Sequence, residues 1–203
     1  MSYTATQVFD FCLKNQISCS EETASRFDIL YEMLTEFNAH TNVTALKTES
    51  DICSRHFVDS TEKKLRFTKS VSDRFSLDAK VHPARAEELV AAGHREAYDV
   101  VVSRAVAALP VLCELCLPFV KKDGSFIAYK SAKECDKANP DSELSRSLKA
   151  IPALGAKIEC VLEAPLAEAD GSVSEHALLV LRKVKPTNPI YPRRYAAIVK
   201  KPL

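Results

Sequence analysis

The sequence predicts an α/β fold preceded by a helical N-terminal segment, with residues 1–60 forming that segment and 61–203 the α/β part. Three observations carry the prediction. Within the first sixty residues, apolar side chains recur at steps of three and four, the period of a helix with one buried face. After residue 78, strand-like runs alternate with helical ones, as in a sheet with crossover helices. Near the end, two strand-like runs follow one another across a short polar loop, which predicts a terminal hairpin.

Residues 6–16 carry Val8, Phe9, Phe11, Cys12 and Leu13 behind a Thr6 cap, a short helix. Ser20 precedes a clearer one, with Phe27, Leu30, Tyr31, Leu34 and Phe37 in helical register. Asn38 to Thr44 closes it, and a further short helix is expected from Asp51 to Phe57. Leu65, Thr68, Val71 and Phe75 predict another amphipathic helix. "DAKVHPAR" then holds a short strand near Val81 and "AEELVAAG" a helix. "YDVVVSRAV" reads as a buried strand of a parallel sheet, because Val100, Val101 and Val102 run without a polar break. "LPVLCELCLPFVKKDG" is expected to be one helix ended by Gly124. "SFIAYKS" is the next strand, "SELSRSLKAIPALG" the next helix, and "KIECVLEAPL" and "EHALLVLRKV" the last two strands.

Composition narrows the class of protein. There are 28 basic and 27 acidic side chains, net charge +1, so no global field draws the chain to nucleic acid or membrane. Any RNA contact has to come from local basic clusters. No apolar run approaches the roughly 20 residues of a membrane span. No signal peptide is visible at the start, and seven irregularly spaced cysteines fit reduced thiols better than a disulfide framework. The expectation is a soluble cytoplasmic protein that acts as a monomer. The four glycines, Gly93, Gly124, Gly155 and Gly171, never lie within ten positions of each other. The chain therefore has no glycine-rich loop to cradle a phosphate or nucleoside, although most nucleotide-handling α/β folds use one.

Ligands of open α/β sheets bind beyond the carboxyl ends of the strands. Two strand ends here read Arg-Ala: Arg85, Ala86 and Glu87 follow one, and Arg104 ends the other. A carboxylate and a guanidinium at such ends suit an adenosine with a charged tail, while a solvated rim salt bridge explains the same pattern. Cys113 and Cys116 form a lone Cys-x-x-Cys in an apolar helix, with no second pair to complete a zinc site; no metal is expected. Lys63, Lys64 and Arg66 crowd one helix start, and the closing "YPRRYAAIVKKPL" supplies Arg193, Arg194, Lys200 and Lys201. Such clusters contact phosphates in some proteins and are merely solvated in others.

Taken in order, "YEMLTEFNAHTNVTAL", "RHFVDS", "EKKLRF", "ARAEEL", "YDVVVSRAVAAL", "ELCLPFVKKDGSFIAYK" and "YPRRYAAIVKKPL" make the chain resemble, over nearly its whole length, the bacterial small-subunit ribosomal RNA methyltransferase G family, also called glucose-inhibited division protein B. The resemblance implies a Rossmann-like domain that binds S-adenosylmethionine and methylates N7 of a guanine in small-subunit ribosomal RNA, free or in the 30S particle. It places Ala86, Glu87 and Arg104 on cofactor-contacting positions and turns the basic helix and tail toward RNA. Guanine N7 already presents a lone pair, so its attack on a sulfonium methyl needs in-line positioning more than a general base. No acid–base pair is therefore required of the chain.

The resemblance also exposes a discontinuity. Between "RHFVDS" and "KKLRF" the family carries a strand, a glycine-rich turn, a helix and a second strand with an acidic end, a βαβ unit of roughly 30 or more residues. Here the unit is missing, and Asp59-Ser60 fits either flank of the join. Asp59 is thus a candidate for the acidic, cofactor-facing strand end. Two alternatives follow: a methyltransferase whose full chain is longer, or a remnant without catalysis that binds RNA or a partner. An intact mass above the 22.5 kDa of these residues marks the first. In sheets of this kind the missing strands lie between the third and the fourth, so without them the strands at Val81 and Val101 face an open gap or are forced to pair with each other.

Overall fold

In the computed structural model of the protein, residues 3–14, 18–41, 62–80, 82–104, 106–167 and 172–203 are described. The chain divides into two units, Met1–Pro83 with Leu166–Ser174, and Ala84–Pro165 with Glu175–Leu203. The helix expected from Asp51 to Phe57 and the join at Asp59-Ser60 lie outside the described residues.

The first unit contains α1 (Tyr3–Lys14), α2 (Glu21–Thr41) and α3 (Glu62–Arg74). Ser20 caps α2, its Oγ accepting from the Thr23 amide at 3.1 Å, and Glu21 and Glu22 sit at the positive end of the helix dipole. The Asp28 carboxylate of α2 accepts from the Ala5 amide at 2.9 Å and so ties down the start of α1. Leu34 of α2 and Phe67 of α3 are buried together, with Leu30, Tyr31, Phe37 and Val71 around them. The Phe37 and Phe67 rings meet edge-on at 5.6 Å. The apolar spacing read from the sequence is the spacing of this contact.

The second unit starts with a short helix, α4 (Ala86–Leu89), continued by a wider turn over Val90–His94. Four strands follow: β1 (Tyr98–Arg104), β2 (Val120–Ser131), β3 (Ala156–Glu163) and, after a two-residue pair β4 (Leu166–Ala167) and β5 (Val173–Ser174) belonging to the first unit, β6 (His176–Lys183). The sheet order is β1-β2-β6-β3; β1 and β2 are parallel, and β6 runs antiparallel to β2 and β3. Between β1 and β2 lies α5 (Leu109–Cys116); α6 (Glu143–Ser147) and α7 (Ala150–Ala153) connect β2 to β3, and α8 (Tyr195–Lys200) closes the chain. One face of the sheet is packed. Phe126 and Ala128 of β2 and Ala177, Leu179 and Leu181 of β6 bury against Leu109, Leu112, Leu144 and Ile151 of the helices.

Three expectations need correction. The helix from Leu109 does not reach Gly124: Pro118 lacks the amide hydrogen that would continue the α-helical bonding, so the helix ends at Cys116, one tighter turn spans Leu117–Phe119 and β2 begins at Val120. Gly124 instead lies inside β2, where a Cβ would stand 2.6 Å from the Asp99 carbonyl oxygen. The strand expected around Val81 is not seen on either side of that residue, which itself lies outside the described set. Finally, β1 is not buried. Val101 packs on the core, but Val100 and Val102 are 56% and 60% exposed, because among the described residues β1 is an edge strand with no element packed on its second face.

Candidate functional site

The carboxyl end of β1 carries the first candidate. Arg104 is exposed and makes no hydrogen bond or ion pair among the described residues. It shares the open face of the sheet with Val100 and Val102, since strand side chains alternate. Ser103, on the packed face, is buried and its hydroxyl finds no partner there.

Ala86 and Glu87 open α4. Ala86 packs with Val111, Leu115 and Ile198, joining α4 to α5 and α8. The Glu87 carboxylate accepts from the Tyr195 amide at 3.3 Å. The structure thus brings the α4 candidates to the start of α8, next to Arg194, on a cluster that Ala107 of the loop after β1 also joins.

Of the basic tail, Arg194, Lys200 and Lys201 are exposed, and Arg193 is not a free cation. Its guanidinium holds the fully buried Glu114 of α5: Nη2 donates to Oε2 at 2.6 Å and Nε to Oε1 at 2.9 Å, while its backbone amide donates to Oε1 at 2.8 Å. Counted with the RNA-facing residues from its place in "PRR", Arg193 is an internal counter-ion. Arg66 of α3 is exposed; Lys63 and Lys64 lie on the same helix, and Asp59 is outside the described residues.

Sequence reasoning passed over two further ion pairs. Lys130, near the end of β2, pairs with Glu143 at 2.7 Å and donates to the Ala107 carbonyl at 2.7 Å, while Glu143 accepts from the Leu109 amide at 2.6 Å. This arrangement fastens the loop after β1 and the start of α5 to β2. Its only sequence signal is a lysine ending the apolar run "FIAY". Lys183, fully buried at the end of β6, pairs with Glu96 at 3.0 Å and donates to the Leu117 and Val120 carbonyls. Burial pulls its ammonium below the ordinary lysine value despite Glu96. Burial alone would raise Glu96, but the Thr187 amide, Lys183 and Arg95 outweigh it and hold the carboxyl below its ordinary value.

The two thiols of the Cys-x-x-Cys lie inside the packed layer. Burial pushes Cys116 up to about 12 and raises Cys113 as well, so both are held as thiols. Among the described residues no three His, Cys, Asp or Glu side chains are grouped as a metal site would need, and no helix is long and apolar enough to cross a membrane.

An adenosine-bearing cofactor needs close backbone approach at a strand end, and the described glycines do not supply it. Gly93 stands in left-handed backbone before β1, Gly124 is wedged against Asp99, and Gly155 is wedged against the Lys185 carbonyl before β3. None is at the carboxyl end of β1 or β2. Among the described residues, no glycine provides the close backbone approach that S-adenosylmethionine would need there.

Residues 58–159 match the family model for rRNA small subunit methyltransferase G. The chain is 32% identical over 237 residues to the ribosomal RNA small subunit methyltransferase G of Bacillus licheniformis, covering 94% of this chain and 95% of that protein. It is also 32% identical over 231 residues to the protein of the same name from Acetivibrio thermocellus, covering 92% and 91%. A solved structure described as a SAM-dependent methyltransferase from Methanosarcina mazei superposes with a TM-score of 0.43 at 10% identity, over 62% of this chain and 80% of that one. In the first alignment, 94% of 203 residues is about 191, set against 237 positions, so about 46 positions have no residue of this chain opposite them.

Proposed function

Since the chain belongs to the rRNA small subunit methyltransferase G family, we propose that its substrate is small-subunit ribosomal RNA and that its reaction, once a cofactor platform stands beside β1, is methyl transfer from S-adenosylmethionine to guanine N7. The deficit of about 46 alignment positions carries the second half of the proposal. It exceeds the roughly 30 residues that a βαβ unit needs, and it accords with the absence of a glycine cradle among the described residues. Glu87 and Arg104 supply polar side chains toward a ligand, but good small-molecule sites enclose most of their ligand, and one wall is lacking here. RNA is held by Arg194, Lys200, Lys201 and the α3 cations Lys63, Lys64 and Arg66, and the 203-residue chain should bind S-adenosylmethionine poorly or not at all.

Calorimetric titration with S-adenosylmethionine separates the two halves. The chain as it stands should give no measurable heat of binding. A chain carrying a family-like segment between Ser60 and Glu62 should bind the cofactor and methylate guanine N7 in 30S particles, and there Arg104→Ala should weaken cofactor binding. Micromolar binding by the 203-residue chain would overturn the role given to the absent segment.

A further inference from the structure

The uncovered edge of β1 belongs to the second unit alone, and what it implies does not depend on the proposed function. Among the described residues β1 pairs only with β2, so one row of its amide and carbonyl groups has no strand beside it. At seven residues it is longer than a usual protective edge, and it has no lysine or proline; its charges stand only at Asp99, paired with Lys121, and at Arg104, and its one irregularity of register lies between Tyr98 and Val100. The side chains on its open face are apolar and exposed, Val100 at 56% and Val102 at 60%, and Tyr129 of β2 adds 44% beside them.

We infer that the β1 edge is a self-association surface, on which a second copy of this chain pairs its own β1 antiparallel across a two-fold axis through Val101.

The sequence of the strand favours a second copy over an unrelated occupant. With Val101 on the axis, Val100 of one protomer stands opposite Val102 of its partner on the open face, and the reverse. Tyr98 then stands opposite Arg104. Arg104 makes no ion pair among the described residues, and the Tyr98 ring is held by the His94 imidazole, which hydrogen-bonds its hydroxyl at 2.5 Å and stacks on it at 5.9 Å. A guanidinium over a fixed phenol ring is a favourable cation–π pair, made twice in a two-fold dimer. Directly opposed side chains in this register share a face in both copies, so the two sheets become one, with its apolar stripe continuous.

One strand pair is a small interface, at the low end of the sizes that hold specific complexes, so the dissociation constant is expected to be about 10 µM. Sedimentation equilibrium of the 203-residue chain should give a mass rising to twice 22.5 kDa with concentration. The double variant Val100→Lys/Val102→Lys, placed on exposed positions, should keep the far-ultraviolet circular dichroism and stay monomeric. In the unmodified chain, amide hydrogen exchange over residues 98–104 should slow as the dimer forms and quicken on dilution. Three outcomes would overturn the inference. These are a monomeric mass up to roughly 200 µM, a dimer that survives both lysines, and edge amides already protected where the chain is monomeric, which would mean that its own residues cover the edge.

Discussion

Replacing Arg193 by alanine isolates the Glu114 carboxylate inside the second unit, and its cost can be worked from the geometry. Glu114 is fully buried, and Arg193 contributes three side-chain contacts and one backbone amide to it. Arg193→Ala removes all three side-chain contacts and leaves the 2.8 Å amide bond. Breaking a buried ion pair by deleting one partner typically costs about 3–5 kcal/mol. The surviving amide bond and the 29% exposure of the Arg193 side chain put this case at the lower end, near 3 kcal/mol. Urea unfolding at fixed protein concentration reads the loss. With a slope of roughly 1–3 kcal/mol per molar, the midpoint should fall by about 1 M or more. Replacing both members, as Glu114→Leu/Arg193→Met, removes the stranded charge and should recover most of the stability. A loss below about 1 kcal/mol for Arg193→Ala, or a double variant as unstable as the single one, would refute the assignment of Arg193 as an internal counter-ion.

Other consequences can be measured on the same protein. Lys200→Ala/Lys201→Ala should weaken binding to small-subunit rRNA and reduce the salt dependence by about one to two charges in a filter-binding series, with Arg194→Ala giving a similar single step. Gly155→Ala should cost several kcal/mol in urea unfolding, because its φ of +86° and the Lys185 carbonyl against a Cβ both exclude a side chain. The Glu96 carboxyl, held below its ordinary value of 4.5, contributes stability that is complete above that pH and lost as pH falls through its folded value. Glu96→Gln should therefore flatten the acid limb of the stability profile. For Lys183, depressed below 10.5, the unfolded chain holds the proton more tightly, so stability rises with pH between the folded value and 10.5. In Glu96→Gln that rise should begin at lower pH, because the buried ammonium has lost its counter-ion.

The elements that were legible in the sequence are those with one buried face. The α2 spacing of Leu30, Leu34 and Phe37 and the β6 alternation of Ala177, Leu179 and Leu181 each report a single packed side. Misreadings arose where tertiary context decided. Val100-Val101-Val102 has the composition of a doubly covered strand, and nothing local reveals that one cover is absent. The run from Leu109 to Gly124 is apolar enough for one helix, but Pro118 divides it and β2 takes the second half. For the site, Arg104 and the exposed tail cations were visible as residue types at strand and chain ends. The commitment of Arg193 to Glu114 was not, because the partners are 79 residues apart and only the folded chain joins them.

The packed and the bare halves of the second unit bear on how a chain without the proposed internal segment would keep this fold. Its main core lies on the side of the sheet covered by α5, α6 and α7, and every strand pairing in it joins β1, β2, β3 and β6 to each other. None of those contacts needs a strand beyond β1. Ligand binding does need one. In open α/β sheets the crevice forms where neighbouring connections leave a strand pair in opposite directions, at the carboxyl ends. Among the described residues β1 is at the edge and the connection through α5 leaves its carboxyl end, where Arg104 stands. Folding of the second unit thus rests on contacts made on one side of β1, and the proposed cofactor platform would rest on the other.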